Sequence, residues 1–122
     1  MCFSYRLKAL SCIEKEVLKD ILEQIKSILD ASKHKDQREE IDYLLNLLKI
    51  DDAKFIKELN GVAMWGGAGA VWEVFIDDAI LFQKFVGEII KLVEYMKCMK
   101  IINKKNVLEC RKKTLIQDVL KM

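Results

Sequence analysis

Met64-Trp65-Gly66-Gly67-Ala68-Gly69-Ala70-Val71-Trp72-Glu73 carries both tryptophans and three of the five glycines of this chain. The sequence on either side reads as charged, amphipathic helix; this stretch does not. Three glycines in four positions free the backbone for φ > 0 and for close approach to another element. Two indoles bury large areas, and each N–H needs an acceptor. The expectation is a tight crossover between helices, with Trp65, Gly66, Gly67, Gly69, Trp72 and Glu73 as fold determinants. A loop that contacts a ligand or partner is the rival reading. For Glu73 the sequence does not choose between bonding a local amide and facing a partner.

On the N-terminal side, Ser11-Cys12-Ile13-Glu14 has the spacing of a capping box, with Leu10 placed to staple it. Val17, Leu18, Ile21, Leu22, Ile25, Ile28 and Leu29 then recur at helical period. A polar turn over residues 31–35 leads to a second helix with Ile41, Leu44, Leu45 and Leu48 on one face. Asp51 is placed as the N-cap of a short third helix bearing Phe55, Ile56 and Leu59. Asn60-Gly61 should stop it, because both residues tolerate the left-handed conformation. On the C-terminal side, Asp77 or Asp78 caps the longest helix, about residues 78–101. Its inward positions are Leu81, Phe82, Phe85, Ile89, Leu92, Val93 and Met96. A charged break at residues 103–106 precedes a final helix to about Lys121. Val71 to Ile76 is the only stretch with strand propensity. A lone strand has nothing to pair with, which favours a helical or irregular path. The fold class expected is all-α: residues 1–122 as one domain, a bundle of about five helices with the Gly/Trp-rich crossover before the longest.

The 122 residues, 52% apolar and 33% charged with no proline, suit a folded chain of uninterrupted helices. The net charge is only +2, but it is unevenly spread. Residues 36–58 hold seven acids against four bases, and residues 97–113 hold seven bases against Glu109 alone. No apolar leader and no bilayer-length run is seen, so a cytoplasmic protein with reduced thiols is expected. Cys2, Cys12, Cys98 and Cys110 have no C-x-x-C spacing and are expected as small apolar core residues. Cys98 and Cys110 flank the last break and could meet in space.

The chemistry-bearing patterns are sparse. Gly67-x-Gly69 begins a dinucleotide fingerprint, but Trp72 replaces its third glycine and no strand precedes it. Gly61 to Gly66 has phosphate-loop spacing, yet Gly67-Ala68 follows where Lys-Ser/Thr is required. His34, the only histidine, sits between lysines in a polar turn, an unpromising place for a catalyst. No nucleophile–base pair and no metal-ligand cluster stands out. Neither catalysis, cofactor nor metal is therefore expected. A small ligand-binding bundle around Trp65, Trp72 and Glu73 would need a pocket with a carboxylate of raised pKa.

Residues 59–74, from Leu59-Asn60-Gly61 through the Trp/Gly stretch to Val74, resemble the core motif of a family of small bacterial helical proteins. These are similar in type to the immunity proteins of toxin–immunity pairs, contact-dependent growth inhibition included. The resemblance implies a stoichiometric toxin inhibitor: a protein-binding module that blocks a cognate toxin domain at its active site or substrate surface. Asp36, Glu39, Glu40, Asp42, Tyr43, Asp51 and Asp52 are the residues expected to face that toxin, acids for complementary charge and Tyr43 as an anchor. Many immunity proteins against nucleases are markedly acidic; this chain, at +2, departs from them, and its basic block could instead meet an acidic toxin. A nucleic-acid-binding or regulatory role for that basic face is the alternative, with Lys104, Lys105, Arg111, Lys112 and Lys113 at its centre. A membrane role is not expected. A homodimer with the long helix as its seam is a further option.

Overall fold

The computed structural model describes residues 10–66 and 69–101. They are all-α. Helices α1 (Cys12–Ala31), α2 (Lys35–Ile50), α3 (Asp52–Leu59), α4 (Val62–Trp65) and α5 (Ala79–Met99) follow one another, with a 3-10 turn over Val71–Glu73 between the last two. No strand occurs among the described residues. The short α4 inside the crossover has no counterpart in the sequence expectation. The final helix expected up to Lys121 lies outside the described residues.

Local signals start the helices where the sequence places them. Ser11 Oγ accepts from the Glu14 amide at 3.1 Å, and the Ser11 amide donates to Glu14 Oε1 at 3.0 Å, closing the capping box. Asp51 accepts from the Lys54 amide at 3.1 Å at the head of α3. Of the two candidate caps for α5, it is Asp78 that accepts, from the Leu81 amide at 2.9 Å. These bonds satisfy amides that a helix start otherwise leaves orphaned.

Helix α1 lies against both α2 and α5, and α2 lies against α3. The expected stripe of α1 is buried at Leu18, Ile21, Leu22, Ile25, Ile28 and Leu29, with Val17 packed at its edge. It meets Ile41, Leu44, Leu47 and Leu48 of α2, Phe55, Ile56 and Leu59 of α3, and Phe82, Phe85, Val86, Ile89, Leu92, Val93, Met96 and Met99 of α5 in one apolar cluster. Each large side chain buried there contributes about 1.5–3 kcal/mol. Cysteine departs from expectation: Cys12 and Cys98 are exposed rather than in the core, because both fall on the solvent side of their helices. Cys2 and Cys110 lie outside the described residues, and with them the Cys98–Cys110 pairing.

The two helix ends of this core are closed differently from each other. Lys100 takes the left-handed conformation (φ 59°), with Ile101 N–H donating to the Met96 carbonyl and Lys100 N–H to that of Lys97, both at 3.1 Å. This pair is the Schellman arrangement, and it turns the chain so that Ile101 is buried. The Asn60-Gly61 stop works by another device than the one expected. Neither residue is left-handed (φ −92° and −83°). Instead Asn60, buried, donates its side-chain amide to the Ile56 carbonyl at 2.9 Å and to the Ile101 carbonyl at 2.8 Å. The second bond joins the ends of α3 and α5. Replacing Asn60 by Ala would leave the buried Ile101 carbonyl without its donor and the Ile56 carbonyl with the residue-60 backbone amide alone. A loss of about 1–3 kcal/mol is expected in denaturant unfolding, with the helical far-UV spectrum retained.

Candidate functional site

The Trp/Gly crossover is built around two indole–carbonyl bonds. Trp65 is 2% exposed, and its Nε1 donates to the Leu59 carbonyl at 2.7 Å. Trp72 is half-buried, and its Nε1 donates to the Gly66 carbonyl at 2.9 Å. One indole thereby satisfies a carbonyl at the end of α3, and the other clamps the loop it encloses. Two of the glycines are required for opposite reasons. A Cβ on Gly66 would lie 2.6 Å from the Val62 carbonyl oxygen, so space excludes a side chain. Gly69 has open space around it but φ +89°, so backbone conformation requires glycine. Gly67 lies outside the described residues. Glu73 ends the 3-10 turn and is exposed.

The crossover is also tied to the acidic helix. Gln37 Nε2 donates to the Gly69 carbonyl at 2.8 Å, bringing the first turn of α2 against the glycine loop. Sequence spacing gave no sign of this meeting, because the two residues lie 32 positions apart.

The seven residues picked out as a partner-facing set separate into two groups. Asp36, Glu39 and Tyr43 lie on the outer face of α2, Tyr43 at 40% exposure. Asn46 and Ile50 continue the same stripe at spacings of three and four residues, and Ile50 is 79% exposed. That apolar end of the stripe escaped the sequence reading, although its position seven residues beyond Tyr43 marks it.

The other four are engaged within the chain. Asp42 receives Lys26 of α1 at 2.7 Å and Arg38 at 2.8 Å, and Arg38 also reaches Asp30 at 3.5 Å. Asp52 receives Lys15 at 3.1 Å and the Leu10 amide at 2.8 Å, fastening the start of α1 to α3. Asp51 is the α3 cap. Glu40 is turned toward Glu58 of α3.

Glu40 is the most perturbed titratable group among the described residues. Glu40 Oε2 is shut off from solvent and meets no donor. Burial first, then the hydrogen bond and negative charge of Glu58, push Glu40 up from 4.5 to about 8. Glu40 accordingly keeps its proton at neutral pH.

Two grooves flank the helices. An apolar one of about 730 Å³ between α1 and α5 is lined by Val17, Ile21, Ile90, Tyr95 and Cys98, with Lys91 at its rim. A polar one of about 490 Å³ between α1 and α2 is lined by Lys15, Lys19, Glu23, Lys26 and Asp42. Among the described residues no three His, Cys, Asp or Glu side chains are grouped to hold a metal ion. No helix among them is long and apolar enough to cross a membrane. His34 Nδ1 lies 2.8 Å from Ser32 Oγ in the α1–α2 turn, a local contact of that turn.

Two outcomes are expected. Gly66→Ala should destabilise the fold by about 1–3 kcal/mol in denaturant unfolding, since backbone must shift to admit the methyl group. Glu40→Gln should alter the pH dependence of stability. A carboxyl raised in the folded state stabilises most below pH 4.5, and that contribution is lost as pH rises through about 8. The melting temperature of the parent chain should therefore fall between pH 5 and 9. The Gln variant should lack this fall and melt above the parent at pH 9.

Compared with protein-family models, with curated proteins and with solved structures, the chain matches none.

Proposed function

We propose that this chain is a non-catalytic protein-binding module, an immunity protein that neutralises a cognate bacterial toxin in the cytoplasm by covering its active site or substrate surface. The reading takes residues 1–122 as one helical-bundle domain. The observation that supports it best is the outer face of α2. Asp36, Glu39, Tyr43 and Ile50 point to solvent along one helix whose opposite face is buried in the core. The Lys26–Asp42 and Arg38–Asp30 contacts tie that helix to α1. A rigid helix offering two carboxylates, a phenol and an exposed isoleucine has the elements of a specific docking surface. Charge steers the approach and the apolar residues supply the anchors. Asp42, Asp51, Asp52 and Glu40 support that face from within the chain.

The runner-up is a nucleic-acid-binding or regulatory domain that uses the basic block. Lys97 and Lys100 are exposed at the end of α5, while Lys104, Lys105, Arg111, Lys112 and Lys113 lie outside the described residues.

Affinity capture of the tagged full chain from its native host separates these readings. A near-stoichiometric partner whose own expression arrests growth, with arrest relieved by this chain, supports the immunity role. Recovery of nucleic acid, released steeply by salt, moves the assignment to the basic face. With the toxin in hand, Asp36→Lys together with Glu39→Lys should weaken binding at least tenfold, about 1.4 kcal/mol. The same pair of changes should move folding stability by no more than about 0.5 kcal/mol, since both side chains are exposed. Unchanged affinity in that double variant would place the interface elsewhere.

A further inference from the structure

The outer face of α5 belongs neither to the core nor to the α2 surface. Ile80, Lys84, Gly87, Lys91, Glu94 and Cys98 recur along it at alternate steps of four and three residues. That spacing keeps them in one stripe about 27 Å long. All are exposed except Gly87, which is half-buried. The stripe has a knob, a gap and a hollow. Ile80 projects at one end, 70% exposed. At the middle, a side chain on Gly87 would meet nothing within 4 Å. At the other end Glu94 and Cys98 line the apolar groove of about 730 Å³, together with Val17, Ile21, Ile90 and Tyr95. Lys91 is answered within the helix by Glu88 at 2.9 Å. Lys84 has no ion pair among the described residues.

These features are symmetric about one point. Ile80 and Cys98, Lys84 and Glu94, and Gly87 and Lys91 each lie equally far on either side of Ile89. A two-fold contact demands this of a surface, because residues that face each other do so twice with the roles exchanged. Laid antiparallel in that register, two copies of α5 bring each Lys84 to the other's Glu94. Each Lys91 stem crosses the bare backbone at the other's Gly87, where two helices can approach closely. Each Ile80 reaches the Cys98 end of the other's groove. Parallel pairing would instead set Lys84 on Lys84 and Glu94 on Glu94, which like charges disfavour.

We propose that the outer face of α5 is the seam of a homodimer, in which two copies pack antiparallel about Ile89 and each seats Ile80 on the other's α1–α5 groove. A second copy is the occupant that the stripe's own charges and shape select. The proposal stands whether or not the α2 face binds a toxin.

Sedimentation velocity on the full chain, from about 1 to about 500 μM, reads the assembly. A concentration-dependent dimer is expected. Lys84→Glu alone and Glu94→Lys alone should each weaken it at least tenfold, because each sets like charges at two symmetry-related places. The two together restore opposite charges and should return the dimer to within about threefold of the parent. A short bismaleimide supplies an independent reading. In Ile80→Cys it should join position 80 to Cys98 of the second copy, mapped by peptide mass spectrometry, and adding Cys98→Ser should abolish that link. A chain still monomeric at about 500 μM would overturn the proposal. So would a double variant no tighter than either single one, or crosslinks that do not join these two positions.

Discussion

The carbonyls at the end of α3 constrain the rest of the molecule. A helix terminus leaves its last carbonyls without internal partners, and burying them unsatisfied is costly. Here the last turn of α3 is buried at Ile56, Leu59 and Asn60, and its acceptors are answered one by one. Asn60 answers Ile56, the Gly61 amide answers Glu58 at 2.9 Å, and the Trp65 indole answers Leu59. Each donor drags a different part of the chain into position. The second hydrogen of the Asn60 amide fixes the end of α5 through Ile101, and Trp65 fixes α4 and so the entry to the glycine loop. The loop in turn holds Trp72 and receives Gln37 from α2.

How much of this was legible depended on distance along the chain. The capping box at Ser11 and the caps at Asp51 and Asp78 are bonds over three residues, and they read directly from sequence. The inward stripes read equally well, since period alone reveals them. At Asn60-Gly61 the place was right and the mechanism was not. A side-chain bond to a carbonyl 41 residues away leaves no local signature. The same limit governs the acids of α2. Asp36 and Asp42 look alike in sequence, but one faces solvent and the other is held by Lys26 from the neighbouring helix. Glu40 is raised only because α2 and α3 bury it beside Glu58.

The strand-like sequence of Val71 to Ile76 resolves into both readings open to it. Its first half winds into a 3-10 turn, where the Glu73 and Val74 amides bond back to the Ala70 and Val71 carbonyls at 3.2 Å. Its second half straightens as Val74 and Ile76 seat in the core. The helical start lets Trp72 reach back to Gly66, and the finish leaves Phe75 and Asp77 exposed. Buried Val74 and Ile76 alternate with exposed Phe75 and Asp77 along this segment.

The carboxyl pair between α2 and α3 also changes how the protein counts its own charge. The formal value of +2 takes every glutamate as ionised at neutral pH. Glu40 keeps its proton up to about pH 8, so the folded chain is about one unit more positive there than its composition implies. Unfolding releases that proton and restores the formal count. The native and unfolded forms therefore differ in electrophoretic mobility and in retention on an ion exchanger, beyond any difference in size. The isoelectric point of the native form belongs to the fold as well as to the sequence.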